Sequence, residues 1–127
     1  MTIAHINPAT MHSNPAFSQG VLVEGGKTLY IGEQNGVDAS GAIVTGGAAA
    51  QMTAALEQVK KILAEVGADQ SNVVRLTVYF SRETTFAEIF PASQEAWGQH
   101  PTAITVLQVH ALGREGALVG IEAVAVV

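Results

Sequence analysis

Two runs in the last quarter of the chain constrain the fold more than any other segment. They are Pro101-Thr-Ala-Ile-Thr-Val-Leu-Gln-Val109 and, after a short turn, Ala117-Leu-Val-Gly-Ile-Glu-Ala-Val-Ala-Val126. Both are dense in β-branched and aliphatic residues, which favours extended strands. Val, Ile and Leu fall on both alternating sets, so neither face of a sheet built from them is expected to stand open to water. Helices can cover one face, and association with further copies is the simplest cover for the other. Composition agrees: charged residues make up 13% of the 127 residues and hydrophobic ones 48%, against about 25% charged in an average soluble domain. A chain of this length is one domain, residues 1–127, with a single core.

Upstream, Val21-Leu-Val-Glu24 and Thr28-Leu-Tyr-Ile31 flank Gly25-Gly26-Lys27, which predicts a hairpin with a glycine-containing turn. Asn35 to Gly41 has loop composition, and Ile43-Val44-Thr45 predicts a brief strand before Gly46-Gly47. From Ala48 to Val66, the apolar residues Met52, Ala55, Leu56, Val59, Ile62, Leu63 and Val66 form one helical stripe, and Gly67 is its natural stop. Val73 to Phe80 predicts a strand with Val74, Leu76, Val78 and Phe80 on one face and Val73, Arg75, Thr77 and Tyr79 on the other. Thr84 or Thr85 caps a second helix whose apolar side carries Phe86, Ile89, Phe90 and Trp97, with Gly98 at its end and Pro91 bending it or closing its first part. The order ββ, helix, β, helix, ββ predicts an α+β two-layer sandwich, a mixed sheet with two helices on one face.

Several function classes are excluded by the same reading. The net charge is −5 with only 6 Lys and Arg, and Lys60-Lys61 is the sole basic pair, so a phosphate backbone has no cluster to bind and nucleic acid is not an expected partner. No run of about 18 apolar residues exists, and Met1 to Pro8 lacks the basic-then-apolar order of a secretory signal. These points, with the absence of Cys, lead to the expectation of a cytoplasmic protein without membrane contact, disulfide or thiolate metal site. His5, His12 and His100 show no metal-ligand spacing, so no metal is expected. Gly46-Gly47 lacks the rest of a phosphate loop, and no Ser-His-Asp order has supporting context.

Five segments, taken in order, resemble the Rid family (YjgF-type, reactive intermediate deaminases). They are Asn14-Pro-Ala-Phe-Ser-Gln19, Leu29 to Val37, Gly46-Gly47 with Gln51, Val73 to Phe80, and Ile121-Glu-Ala-Val-Ala125. The resemblance spans nearly the whole chain. It implies a chorismate-mutase-like homotrimer with a cleft between neighbouring subunits, hydrolysing enamines or imines as small-molecule substrates without a cofactor. In that family an arginine holds the substrate carboxylate, and a glutamate positions the water.

Against that pattern this chain departs at almost every position. Counting back from Leu112, the arginine falls on Ile104, or on Ala103 in a shifted alignment, and the frequent cysteine falls on Val106. The strand glutamate falls on Gly120, the loop serine on Gly32 and the loop glycine on Glu33; the helix asparagine falls on Phe90 and the entry tyrosine on Phe17. Isoleucine offers nothing to an anion, and an unpaired carboxylate buried beside it costs several kcal/mol, so the cleft is expected to favour a neutral or apolar ligand. Glu33 is the candidate catalytic residue, returning from the opposite wall the carboxylate that Gly120 lacks. Flanked by Phe17, Phe90 and Ile104 it would suit general acid or base work, whereas the plainer reading is a solvated loop acid. Gln34 and Asn35 are candidates for ligand hydrogen bonds or, more simply, for local turn bonds. His110 is read as a surface strand end and Trp97 as packing, and Arg75 is expected to pair with Glu122. The reading that follows is an enzyme acting by hydrolysis (deamination) or tautomerisation on an enamine, imine or neutral reactive intermediate, with weak or absent 2-aminoacrylate deamination. A non-catalytic binding or regulatory trimer and a specialised enzyme for a neutral or aromatic intermediate are the alternatives.

Overall fold

The computed structural model describes residues 1–127. The stripe from Met52 to Leu63 becomes the buried side of a helix, α1 (Gly47–Glu65), whose Met52, Ala55, Leu56, Val59 and Leu63 are almost fully buried. Gly46 and Gly47 enter it at positive φ, and Gly67, also at positive φ, ends it by donating to the Ala64 carbonyl while Ala68 donates to Leu63. The second helix, α2 (Phe86–Trp97), is capped by Thr85, whose hydroxyl accepts from the Glu88 N–H at 3.2 Å. Pro91 lies inside α2 without ending it.

The strands are β1 (Thr2–Ile6), β2 (Gly20–Glu24), β3 (Thr28–Gln34), β4 (Val73–Ser81), β5 (Ala103–Val109) and β6 (Val119–Val126), and a short 3-10 turn at Gln70–Asn72 precedes β4. Four of them form a sheet ordered β3-β6-β4-β5. β6 runs antiparallel to β3 and β4, and β5 runs parallel to β4 after crossing over through α2. Both helices lie on one face of this mixed sheet, and the core fills the layer between them. Across the sheet Leu76, Val78 and Phe80 of β4 face the same way as their β6 partners Ala123, Ile121 and Val119, all buried.

Three expectations need correction. The hairpin of β2 with β3 does not form: β2 pairs with β1, a strand not foreseen in a segment that is nearly all exposed. Gly25 and Gly26, both at positive φ, carry the chain from one sheet to the other, and Lys27 exchanges backbone hydrogen bonds with Val127 instead of closing a turn. The strand at Ile43–Thr45 reduces to a single bridge, Val37 to Ile43. In β4 a bulge between Val73 and Arg75 turns Val73 into the core, opposite Ala125, so strict alternation fails there. The sheet face turned away from the helices is mixed. Leu107, Val109 and Val124 lie on it, as the alternating pattern predicts, among exposed Arg75, half-buried Tyr79 and Glu122, buried Thr77, and Tyr30 at 78% exposure.

Candidate active site

Between α2 and the β4–β5 edge lies a pocket of about 400 Å³. Residues 86, 89, 90, 93 and 97 recur at helical spacing, so α2 presents Phe86, Ile89, Phe90, Ser93 and Trp97 to one side. The opposite wall comes from β5, where Ile104 and Val106 pair with Leu76 and Val78 and so point to the same face. The third wall is the segment around Phe17, held by Ser18. The Ser18 N–H donates to the Thr102 carbonyl at 2.9 Å, its hydroxyl donates to the Pro101 carbonyl, and His5 Nδ1 lies 2.8 Å from that hydroxyl. Of 17 lining residues 12 are hydrophobic, and none is Asp, Glu, Lys or Arg.

Two of the few polar groups in the lining are committed to backbone. Asn14 Oδ1 accepts from the Ala16 N–H at 2.8 Å, and Ser93 donates to the Phe90 carbonyl at 2.7 Å. The Trp97 indole N–H is buried without a partner, a costly state that the surrounding packing must offset. His100 packs edge-on against Trp97, with ring centroids 6.5 Å apart.

The candidate residues therefore divide. Phe17, Phe90, Ile104 and Val106 meet in this pocket. Gly32, Glu33 and Gly120 do not; they sit where β3 and β6 turn their other face outward. Gly120 pairs with Tyr79 and Glu122 with Thr77, both on the face opposite Ile104. A side chain at position 120 would begin 2.0 Å from Glu33 Oε2 and 2.9 Å from its Cγ. The Glu33 side chain thus fills the space a residue-120 side chain would take, and the register shift of β3 between Ile31 and Gln34 puts it there. Glu33 is exposed and lies away from the Phe17, Phe90 and Ile104 of its own chain. Gln34 donates to the Gly32 carbonyl at 3.0 Å, the local bond of a turn residue, while Asn35 donates to the Val119 carbonyl at 3.0 Å.

Near Glu33, the expected Arg75–Glu122 pair is absent. Arg75 donates to Thr105 Oγ1 at 2.9 Å, and Glu122 accepts from the Tyr79 hydroxyl at 2.5 Å. The hydrogen bond to the Glu122 carboxylate pushes the Tyr79 phenol above its usual pKa, helped by burial and by the charges of Glu122 and Glu33 and opposed by Arg75. Tyr79 has no signal of its own in the sequence, because only the strand register sets it opposite Gly120 and within reach of Glu122. No cluster of three or more His, Asp and Glu side chains has the geometry to hold a metal ion, and no helix is long and apolar enough to cross a membrane.

Residues 8–127 match the family model described as Endoribonuclease L-PSP. The chain belongs to this family, the Rid family. This Rid protein is 38% identical over 111 residues to a Bos taurus protein named 2-iminobutanoate/2-iminopropanoate deaminase, covering 87% of this chain and 79% of the relative. The crystal structure of YyfB, a Rid-family protein of unknown function from Yersinia pestis, matches it with a TM-score of 0.87 and 32% identity, over 100% of both chains. RidA from an Antarctic Psychrobacter matches with a TM-score of 0.72 and 27% identity, over 95% of this chain and 94% of that one. The two helices on a mixed sheet are therefore the family's fold.

Proposed function

We propose that this Rid protein hydrolyses a neutral, apolar imine or enamine, using a cleft completed by a second copy of the chain in a homotrimer. The observation that carries the reading is the pocket at Ile104: four positions singled out in the sequence meet there, and its own chain contributes no Asp, Glu, Lys or Arg to the lining. A substrate carboxylate would lose its hydration in that pocket and gain no cation in return. A neutral imine meets no such penalty.

The chemistry needs one proton-handling group. Water adds to the imine carbon, the nitrogen takes up protons, and the carbon–nitrogen bond breaks to give a carbonyl compound and ammonia or an amine. Glu33 is our candidate to take the proton from water and return it to the departing nitrogen. Its carboxylate lies on the sheet face opposite its own pocket, so it serves the pocket of a neighbouring copy. The low charge content and the half-covered outer sheet face support that assembly. RNA is not our candidate substrate. The 6 Lys and Arg side chains are dispersed, with Lys60 paired to Glu57, Arg75 bound to Thr105 and Arg114 bound to the Gly41 carbonyl.

Ammonia release tests the reading, with 2-aminoacrylate generated in place compared with neutral imines of similar size. Turnover of the neutral compounds and little of 2-aminoacrylate is expected. Efficient turnover of 2-aminoacrylate alone overturns it, and a ligand bound without turnover of any imine would favour a binding or regulatory role.

A further inference from the structure

Aromatic rings are unevenly distributed in this molecule. The chain has 4 Phe, 2 Tyr and 1 Trp, and Phe17, Phe86, Phe90 and Trp97 all line the one pocket, with the His100 imidazole beside them. Trp97 belongs to the buried core, but core packing does not account for the phenylalanines around it. Phe86 is 46% exposed and Phe90 37% exposed, so two large rings are left half-open at the pocket's edge. They lie 5.1 Å apart with their planes tilted by 35°, and the Trp97 and His100 rings meet at 80°. Rings at several mutual angles thus border the same space, a surround suited to the offset-stacked and edge-to-face contacts that an aromatic ligand makes.

Resting on the proposed reading and narrowing its substrate class, we infer that the pocket takes a neutral ligand built on an aromatic ring, with one small polar substituent. The ring fits between Phe90 and the Ile104–Val106 wall, where it covers the apolar surface that water now wets. A pocket of about 400 Å³ is near the lower end of the 300–1,000 Å³ or so usual for small-molecule sites, which suits a one- or two-ring compound. The polar substituent is met by the Gln94 amide or the His100 ring, whose side chains make no hydrogen bond of their own in the chain; the third unpartnered lining group, the Trp97 indole N–H, is buried. An anionic substituent finds no cation there.

Trp97 is the chain's only tryptophan and stands in the pocket wall, so its emission reports occupancy without any turnover. The intact protein is titrated with benzyl alcohol, its saturated counterpart cyclohexylmethanol, and benzoate. Benzyl alcohol is expected to give a saturable change in Trp97 emission, with the saturated compound and benzoate each weaker by about tenfold. Phe90→Leu keeps an apolar residue on the helix and removes the ring, and should weaken benzyl alcohol about tenfold while leaving cyclohexylmethanol nearly unchanged; circular dichroism verifies that the variant is folded. Equal affinities for the ring and its saturated form, tighter binding of benzoate, an unchanged Phe90→Leu response or no binding of any probe would each overturn the inference. Ring preference without imine turnover would sink the hydrolase reading and leave this one standing. Imine turnover without ring preference would do the reverse.

Discussion

Replacing Ile104 with arginine puts back the cation whose absence shapes the whole functional reading. Ile104 is half-buried, pairs with Leu76 on the helix-covered face of the sheet, and lines the pocket directly. No Asp or Glu of the same chain shares that lining, so within one chain a guanidinium at position 104 meets no carboxylate. In the proposed assembly a neighbouring copy's Glu33 is the one acid that competes with a ligand for it, and adding Glu33→Gln to the variant removes that competitor. Hydrogen bonds to a charged partner contribute about 1.5–3 kcal/mol, so a carboxylate ligand such as pyruvate should bind Ile104→Arg roughly 10- to 150-fold more tightly than the parent. The aliphatic stem of arginine keeps part of the isoleucine's contact and lets the head reach water at the pocket mouth. The folding cost should then be about 1 kcal/mol, seen as a fall of roughly 3–5 °C in Tm. Isothermal titration with pyruvate, beside ammonia release from 2-aminoacrylate, measures both effects, and Ile104→Met controls for side-chain length without charge. If Ile104→Arg folds and binds pyruvate no better than the parent, or if the parent already binds it tightly, then residue 104 is not where a substrate carboxylate would sit, and the argument for a neutral substrate collapses.

Glu33→Gln preserves the side chain's shape over Gly120 and should lower kcat by about a hundredfold or more if the carboxylate handles protons; an unchanged rate and pH profile on a turned-over imine removes it from the mechanism. Gly36→Ala should cost about 1–3 kcal/mol or more, read as a lower Tm, because its Cβ would lie 2.4 Å from the Gln51 Cα and carbonyl oxygen in the backbone of α1, whereas Gly32→Ala meets nothing within 4 Å and should be tolerated. Asp38 is held below the usual carboxylate range, first by the Ser40 hydroxyl and then by backbone N–H groups. Its contribution is therefore present above the unfolded carboxyl value of about 4 and lost as pH falls through the lower folded value, so Asp38→Asn should flatten the acid limb of a urea-denaturation series. For Tyr79 the sign reverses: with the folded phenol raised by Glu122, its stabilisation is present below the unfolded value of about 10 and is lost as pH rises through the folded value, so Tyr79→Phe should show the smaller loss of stability in alkali.

How much of this was legible beforehand depends on whether the information was local. The stripe of α1, the Thr85 cap and the glycine stops at 67 and 98 are written in neighbouring residues, and they formed as read. The β2–β3 hairpin failed because the same Gly-Gly turn serves equally well to pass a chain between sheets, and only the partner, the C-terminal Val127, decides between them. Val73 was assigned to the wrong face because a bulge is a property of two strands together and leaves no mark in one. Of the candidate positions, Phe17, Phe90, Ile104 and Val106 line one pocket, while Gly32, Glu33 and Gly120 lie on the other face of the sheet. The aromatic character contributed by Phe86, Trp97 and His100 was not legible, since rings at helical spacing read as packing until the space beside them is seen. The Arg75–Glu122 expectation failed on register. Thr77, not Arg75, stands opposite Glu122, and the tyrosine hydroxyl two residues along reaches the carboxylate instead.

The relation between Glu33 and Gly120 carries the argument one step further. With no Cβ, Gly120 leaves the sheet surface bare between Tyr79 and the β3 edge, and Glu33 lies across that gap. A carboxylate on β6 at this point and a carboxylate on β3 would compete for one volume, beside a Glu122 already bonded to Tyr79. Three acids crowded on one face would repel one another, and their mutual repulsion would drive protons onto them. A side chain at 120 would first have to push the exposed, flexible Glu33 side chain out of this space, with no backbone atom in the way. On the proposed mechanism, Gly120 is what leaves Glu33 free to lie in this position, so Gly120→Ala should displace the carboxylate and lower turnover without lowering Tm.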